Sequence, residues 1–105
     1  MVQSIDSLGE FKTVIASDTA VVVAFTTDSL KSFEAFEGQF PHIGFFTVDM
    51  DKQSVIVQDI ADRLQASVHG VPTFYFFRNG EPIDGVFGAY ANQLKRLLAH
   101  HHPAA

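Results

Sequence analysis

The sequence predicts an α/β sandwich, one mixed five-stranded sheet with helices on both faces, and three observations carry that prediction. Ala20 to Thr26 (AVVVAFT) is an unbroken β-branched and apolar run, the pattern of a strand buried on both faces. Segments with helical spacing alternate with strand-like runs before and after it, and helical crossovers join parallel strands. Asn79-Gly80 is a hairpin dipeptide set between two further strand-like runs, so the last pair is antiparallel. The predicted order is βαβαβ followed by αββα.

Each element has its own justification. Val2 to Ile5 alternates enough for a short edge strand. Ser7-Leu8-Gly9-Glu10 has capping-box spacing, and Leu8, Phe11, Val14 and Ile15 follow at helical intervals. Asp18 and Thr19 break that helix before the Ala20–Thr26 strand. Asp28 or Ser29 can cap a second helix with apolar positions Leu30, Phe33, Phe36 and Phe40, which Gly38 weakens and Pro41 stops. Ile43 to Val48 reads as a strand closed by the solvated turn Asp49-Met50-Asp51. A third helix spans Ser54 to Ala66, with Val57, Ile60, Ala61 and Leu64 on one face. Thr73 to Phe77 and Ile83 to Phe87 are the hairpin strands, and Ala91 to His101 is a final helix with Leu94, Leu97 and Leu98 inward.

Composition narrows the chemistry. The 105 residues make one small domain, 1–102, with a short tail, 103–105. Hydrophobic residues are 47% and charged ones 18%, which suits a packed core. Twelve acidic residues against seven basic, a formal charge of −5, disfavour nucleic acid. There is no cysteine, so disulfides and thiolate nucleophiles are excluded. No basic leader or apolar run of about 18 residues suggests export or a membrane partner, and a cytoplasmic location is expected.

The eleven phenylalanines read as core filling, Phe11, Phe25, Phe46, Phe74, Phe76 and Phe87 among them. Phe45-Phe46 and Phe76-Phe77 are expected to place one ring under each helical layer. His100-His101-His102 is not a designed metal site, because adjacent imidazoles on a helix diverge. No metal or other cofactor is expected.

Gly70-Val71-Pro72-Thr73 and Phe77-Arg78-Asn79-Gly80 combine with AVVVAF at Ala20–Phe25, VDMD at Val48–Asp51 and Val86-Phe87-Gly88-Ala89. In their joint order and spacing they resemble the thioredoxin family, from Val2 to about His100. The resemblance implies a thioredoxin-like three-layer sandwich and a cis Val71-Pro72 peptide bond. It also implies that Val71 offers its backbone N–H and C=O to an extended peptide, in the manner of strand addition; the alternative is that Pro72 only shapes its loop.

The departures from the family bear on function. Where thioredoxins carry Trp-Cys-Gly-Pro-Cys, this chain has Thr26-Thr27-Asp28-Ser29-Leu30-Lys31-Ser32-Phe33. The segment to Phe36 is about seven residues shorter than in the family, close to two turns at ~3.6 residues per turn. Either the dithiol turns were deleted, or Ser29, Leu30, Lys31, Ser32 and Phe33 replace them in place, with Leu30 and Phe33 for the cysteines. The family's buried aspartate corresponds to Ala24 and its lysine neighbour to Thr47. A buried carboxylate is costly and has no use without a thiol to deprotonate.

Between Asp51 and Val68 the chain carries roughly six more residues than the family, under two helical turns. That lengthened third helix includes Val55-Ile56-Val57, and one helix face cannot bury three neighbours in sequence. Val55 or Ile56 is therefore expected to form an apolar patch with Leu30 and Phe33, covering the shortened second helix or binding a partner.

The function these readings predict is a non-redox protein- or peptide-binding module, or a self-associating homodimer. The surface would comprise Leu30, Phe33, Val55, Ile56, His69, Gly70, Val71, Pro72 and Thr73. The alternative is a non-thiol hydrolase or isomerase using His69 with Ser29, Ser32 or Asp28, although no nucleophile motif surrounds them.

Overall fold

In a computed structural model, which describes residues 2–27, 30–68 and 72–102, the elements follow the predicted order. They are β1 (Gln3–Ser4), α1 (Leu8–Ile15), β2 (Val21–Thr26), α2 (Lys31–Glu37), β3 (Gly44–Asp49), α3 (Ser54–Arg63), β4 (Thr73–Arg78), β5 (Glu81–Phe87) and α4 (Ala91–His101). The strands form one sheet in the order β1-β3-β2-β4-β5. β1 and β2 both run parallel to β3, while β4 is antiparallel to β2 and β5.

That order assigns the layers. The β1→β2 connection crosses the sheet in one direction and β2→β3 returns in the other, so right-handed crossovers put α1 and α2 on opposite faces. α3 packs beside α1, and α4 beside α2. Alternation along the central strands then divides the core. Val21, Val23, Phe25, Tyr75 and Phe77 point to the α1/α3 layer. Val22, Ala24, Phe74 and Phe76 point to the α2/α4 layer. Phe45 and Phe46 divide between the layers as their adjacency predicted.

Local chemistry sets the ends. Ser7 Oγ caps α1 by accepting the Glu10 N–H at 3.1 Å, and Glu10 reaches back to the Asp6 N–H. Asn79 and Gly80 take positive φ of 54° and 83°, as the hairpin requires. Their N–H groups donate to the Ser17 and Ile15 carbonyls at 2.8 Å, so this turn satisfies the end of α1.

Several expectations are corrected. The N-cap of α2 is Leu30, with no side-chain capping bond, instead of Asp28 or Ser29, which lie outside the described residues. Phe40 lies past the end of α2 and is buried there. α3 stops at Arg63, and the next residue to take positive φ is Gln65. Its buried positions are Ile56 and Ile60, while Ala61 is exposed. Phe87 is 59% exposed because β5 is an edge strand whose outward face extends past α1 and α3. Phe46 is only half-buried.

Candidate functional site

The carboxyl ends of parallel strands and the starts of the helices that follow share one edge of a sheet, where α/β proteins commonly bind ligands. Leu30 opens α2 at that edge. Its φ/ψ of −121°/101° is extended, as an N-cap requires, and the chain turns helical from Lys31. Three residues on, the Phe33 ring is 1% exposed, 4.9 Å from Phe45 and 5.5 Å from Phe74 between ring centroids.

Pro72 stands across from α2. Its carbonyl accepts the Gly88 N–H at 2.9 Å, tying the loop before β4 to the one after β5. Gly88 has φ +127°, and a Cβ there would come within 2.6 Å of the Tyr90 ring, so only glycine suits the position. Tyr90, held over Gly88 and 61% exposed, leads into α4. Between these parts lies a groove of about 190 Å³. Leu30, Phe33 and Pro72 line it with Phe74, Ala89, Tyr90, Ala91 and Leu94, and Lys31 and Ser32 complete the lining.

Leu30 and Phe33 also wall a second, polar crevice of about 360 Å³ at the ends of β1, β2 and β3. Asp6, Glu34, Asp49 and Lys52 face it, with hydroxyls from Ser4, Thr26, Thr27 and Thr47. Asp49 Oδ1 accepts the N–H groups of Asp51 and Lys52 at 2.9 and 3.2 Å, which shapes the turn after β3. Ala24 is fully buried, and the register sets it directly opposite Thr47. The two positions matched to the family's charged pair are therefore neighbours here, and neither side chain can ionise.

The structure brings Leu30, Phe33, Lys31, Ser32 and Pro72 together, with Thr73 buried next to them at the start of β4. It does not bring Val55 and Ile56 there. Ile56 is fully buried in the α1/α3 layer, and Val55 is 61% exposed on α3. The expected four-residue patch is not formed, because α3 lies on the face of the sheet opposite α2 and cannot cover it. His69, Gly70 and Val71, with the peptide bond to Pro72, lie outside the described residues. Sequence reasoning did not assign Phe74, Ala89, Tyr90, Ala91 or Leu94 to the site. The glycine at position 88, just before an aromatic residue and a helix, is the signal that could have pointed there.

The Tyr75 hydroxyl donates to the Ser67 carbonyl, fixing β4 to the segment that follows α3. Burial raises its phenol above the ordinary range. A raised pKa means that the folded state favours the protonated phenol. The associated stability is present below the unfolded pKa near 10 and is lost as pH rises through the folded value. Tyr75→Phe is expected to cost about 1 kcal/mol at neutral pH. It should also lessen the loss of stability above pH ~10, as measured by urea unfolding across that range.

The histidines near the chain's end serve packing. His101 Nε2 lies 3.0 Å from Asp84 Oδ2, with its ring against Phe76, and His102 packs between Phe40 and His42. His100 and His101 rings meet edge to face at 4.8 Å, closer than diverging helix neighbours would. Among the described residues no three His, Asp or Glu side chains gather to hold a metal. None of the described helices is long and apolar enough to cross a membrane.

Against known proteins, the chain is 33% identical to a thioredoxin of Malassezia sympodialis over 109 residues, covering 95% of this chain and 98% of the relative. It belongs to the thioredoxin family. Thioredoxin-1 of Schizosaccharomyces pombe is 30% identical over 105 residues, covering 93% of this chain and 96% of its own. The crystal structure of the Malassezia sympodialis thioredoxin superposes with a TM-score of 0.78, over 98% of this chain and 92% of that one. The solution structure of the oxidised thioredoxin from Plasmodium falciparum gives 0.81 at 23% identity, over 98% and 100%, a likeness of fold. No family model matches. This member of the thioredoxin family has no cysteine anywhere in its sequence.

Proposed function

We propose that this chain is a redox-inactive thioredoxin-like protein that binds an extended protein or peptide segment in the groove between α2, Pro72 and Tyr90. The observation that carries the reading is the pairing of that groove, apolar and partly open, with the complete absence of cysteine. Disulfide exchange needs one thiolate to attack and a second thiol to resolve. The scaffold retains a concave surface but has neither group. Apolar lining with an exposed aromatic edge at Tyr90 is the composition of an interaction site. The hydrolase or isomerase alternative keeps only Ser32 among the described residues, exposed on α2, and no observation favours it.

Two measurements test the reading. Insulin reduction with dithiothreitol present should proceed no faster than without the protein. Peptides selected on the wild-type chain should lose binding on Leu30→Asp. Aspartate suits the N-cap position that leucine fills without a capping bond, which offsets part of the packing that half-buried Leu30 gives up against the α2/α4 core, so this variant should still fold while placing a charge in the groove. Unchanged binding by Leu30→Asp would overturn the proposal. Light scattering of the same pair of proteins reports whether the bound segment belongs to a second copy.

A further inference from the structure

The groove differs in charge from the chain that forms it. The protein has a formal charge of −5, yet among the groove's described lining residues there is no carboxylate. Its one charged lining residue is Lys31, which has no ion-pair partner among the described residues. The eleven-residue α4 starts at the same groove. Tyr90 is its N-cap without a side-chain hydrogen bond, and its first turn holds no acidic residue. The positive end of the helix is thus left without a carboxylate or a capping side chain of its own. Arg96 shares the adjoining depression with Tyr90 and Ala91. Asp6, Glu34 and Asp49, with the cation Lys52, line the crevice beyond the Leu30–Phe33 wall.

Resting on the peptide-binding reading above, we infer that the groove selects an extended segment carrying an apolar side chain beside an aspartate or glutamate. The apolar side chain lies against Leu30, Pro72 and Tyr90, and the carboxylate faces Lys31 and the start of α4. A basic residue at that place would meet Lys31 and the positive helix end, and would be rejected.

The test uses fluorescence anisotropy of short, labelled, C-terminally amidated peptides with Leu-Asp, Leu-Asn or Leu-Lys at the centre of a neutral polar background. Leu-Asp should bind about fivefold to tenfold tighter than Leu-Asn, the scale of one helix-end contact with one exposed ion pair. Leu-Lys should bind most weakly. Lys31→Gln should narrow the gap between Leu-Asp and Leu-Asn, as should raised salt. Equal binding of the three peptides, with Leu-Asn still lost on Leu30→Asp, would overturn the charge selection and leave the groove reading intact. Binding by none of them would overturn both. A Leu-Asn peptide with a free C-terminal carboxylate that outbinds amidated Leu-Asp would show that the groove takes a chain terminus, overturning the inference as stated.

Discussion

Phe33→Ala is expected to lower the unfolding free energy by about 3–5 kcal/mol, a large share of the roughly 5–15 kcal/mol a domain possesses. The ring is 1% exposed and packs against Phe45 and Phe74, so truncation leaves a cavity that two strand-borne rings cannot collapse into. Val55, which the sequence places in the same patch, is 61% exposed on the other side of the sheet. Val55→Ala should therefore change stability by no more than about 0.5 kcal/mol. Urea denaturation of the two variants decides the matter: comparable losses would contradict the exposure of Val55.

Ala24→Asp is the second large effect. The site is fully buried and its ladder neighbour on β3 is Thr47, so the new carboxylate faces a neutral side chain there. Burial should raise its pKa by several units, and ionisation near pH 7 should cost roughly 3–5 kcal/mol. The raised value fixes the sign. The unfolded chain ionises near pH ~3.9 while the folded chain resists, so stability falls as pH rises from about 4 to the folded pKa and then levels off. Ala24→Asn has the same crowding without the charge and should lack the pH dependence. Adding Thr47→Lys to Ala24→Asp should restore part of the loss, since the register sets the two side by side. A flat difference between the Asp and Asn variants from pH 4 to 8 would contradict the burial of this position.

Much of this fold is written in local chemistry. AVVVAF can only be a central strand, Asn79-Gly80 takes the φ values its hairpin needs, and Ser7 caps α1 where its spacing says it should. The neighbouring positions Ala24 and Thr47 were legible through family resemblance, and the strand register pairs them. What stayed hidden depends on long-range geometry. Which face α3 covers follows from the order of strands across the sheet, and a run such as Val55-Ile56-Val57 carries no mark of that order. Phe87 reads as core because its composition does not reveal that β5 lies at the edge. The groove is half legible. Leu30, Phe33 and Pro72 follow from the matched motifs, whereas Tyr90 and Ala89 join them only because the Gly88 N–H bonds to Pro72 and turns the chain into α4.

If a scaffold without thiols works through its contact surface, amide chemical-shift mapping should locate that surface. An isotope-labelled sample is titrated with a peptide selected for binding. Shifts are expected to concentrate at Leu30–Phe33, Thr73–Phe74 and Ala89–Leu94, all absent in Leu30→Asp. Shifts confined to the α1/α3 face, or saturable binding that leaves these three segments unmoved, would contradict it.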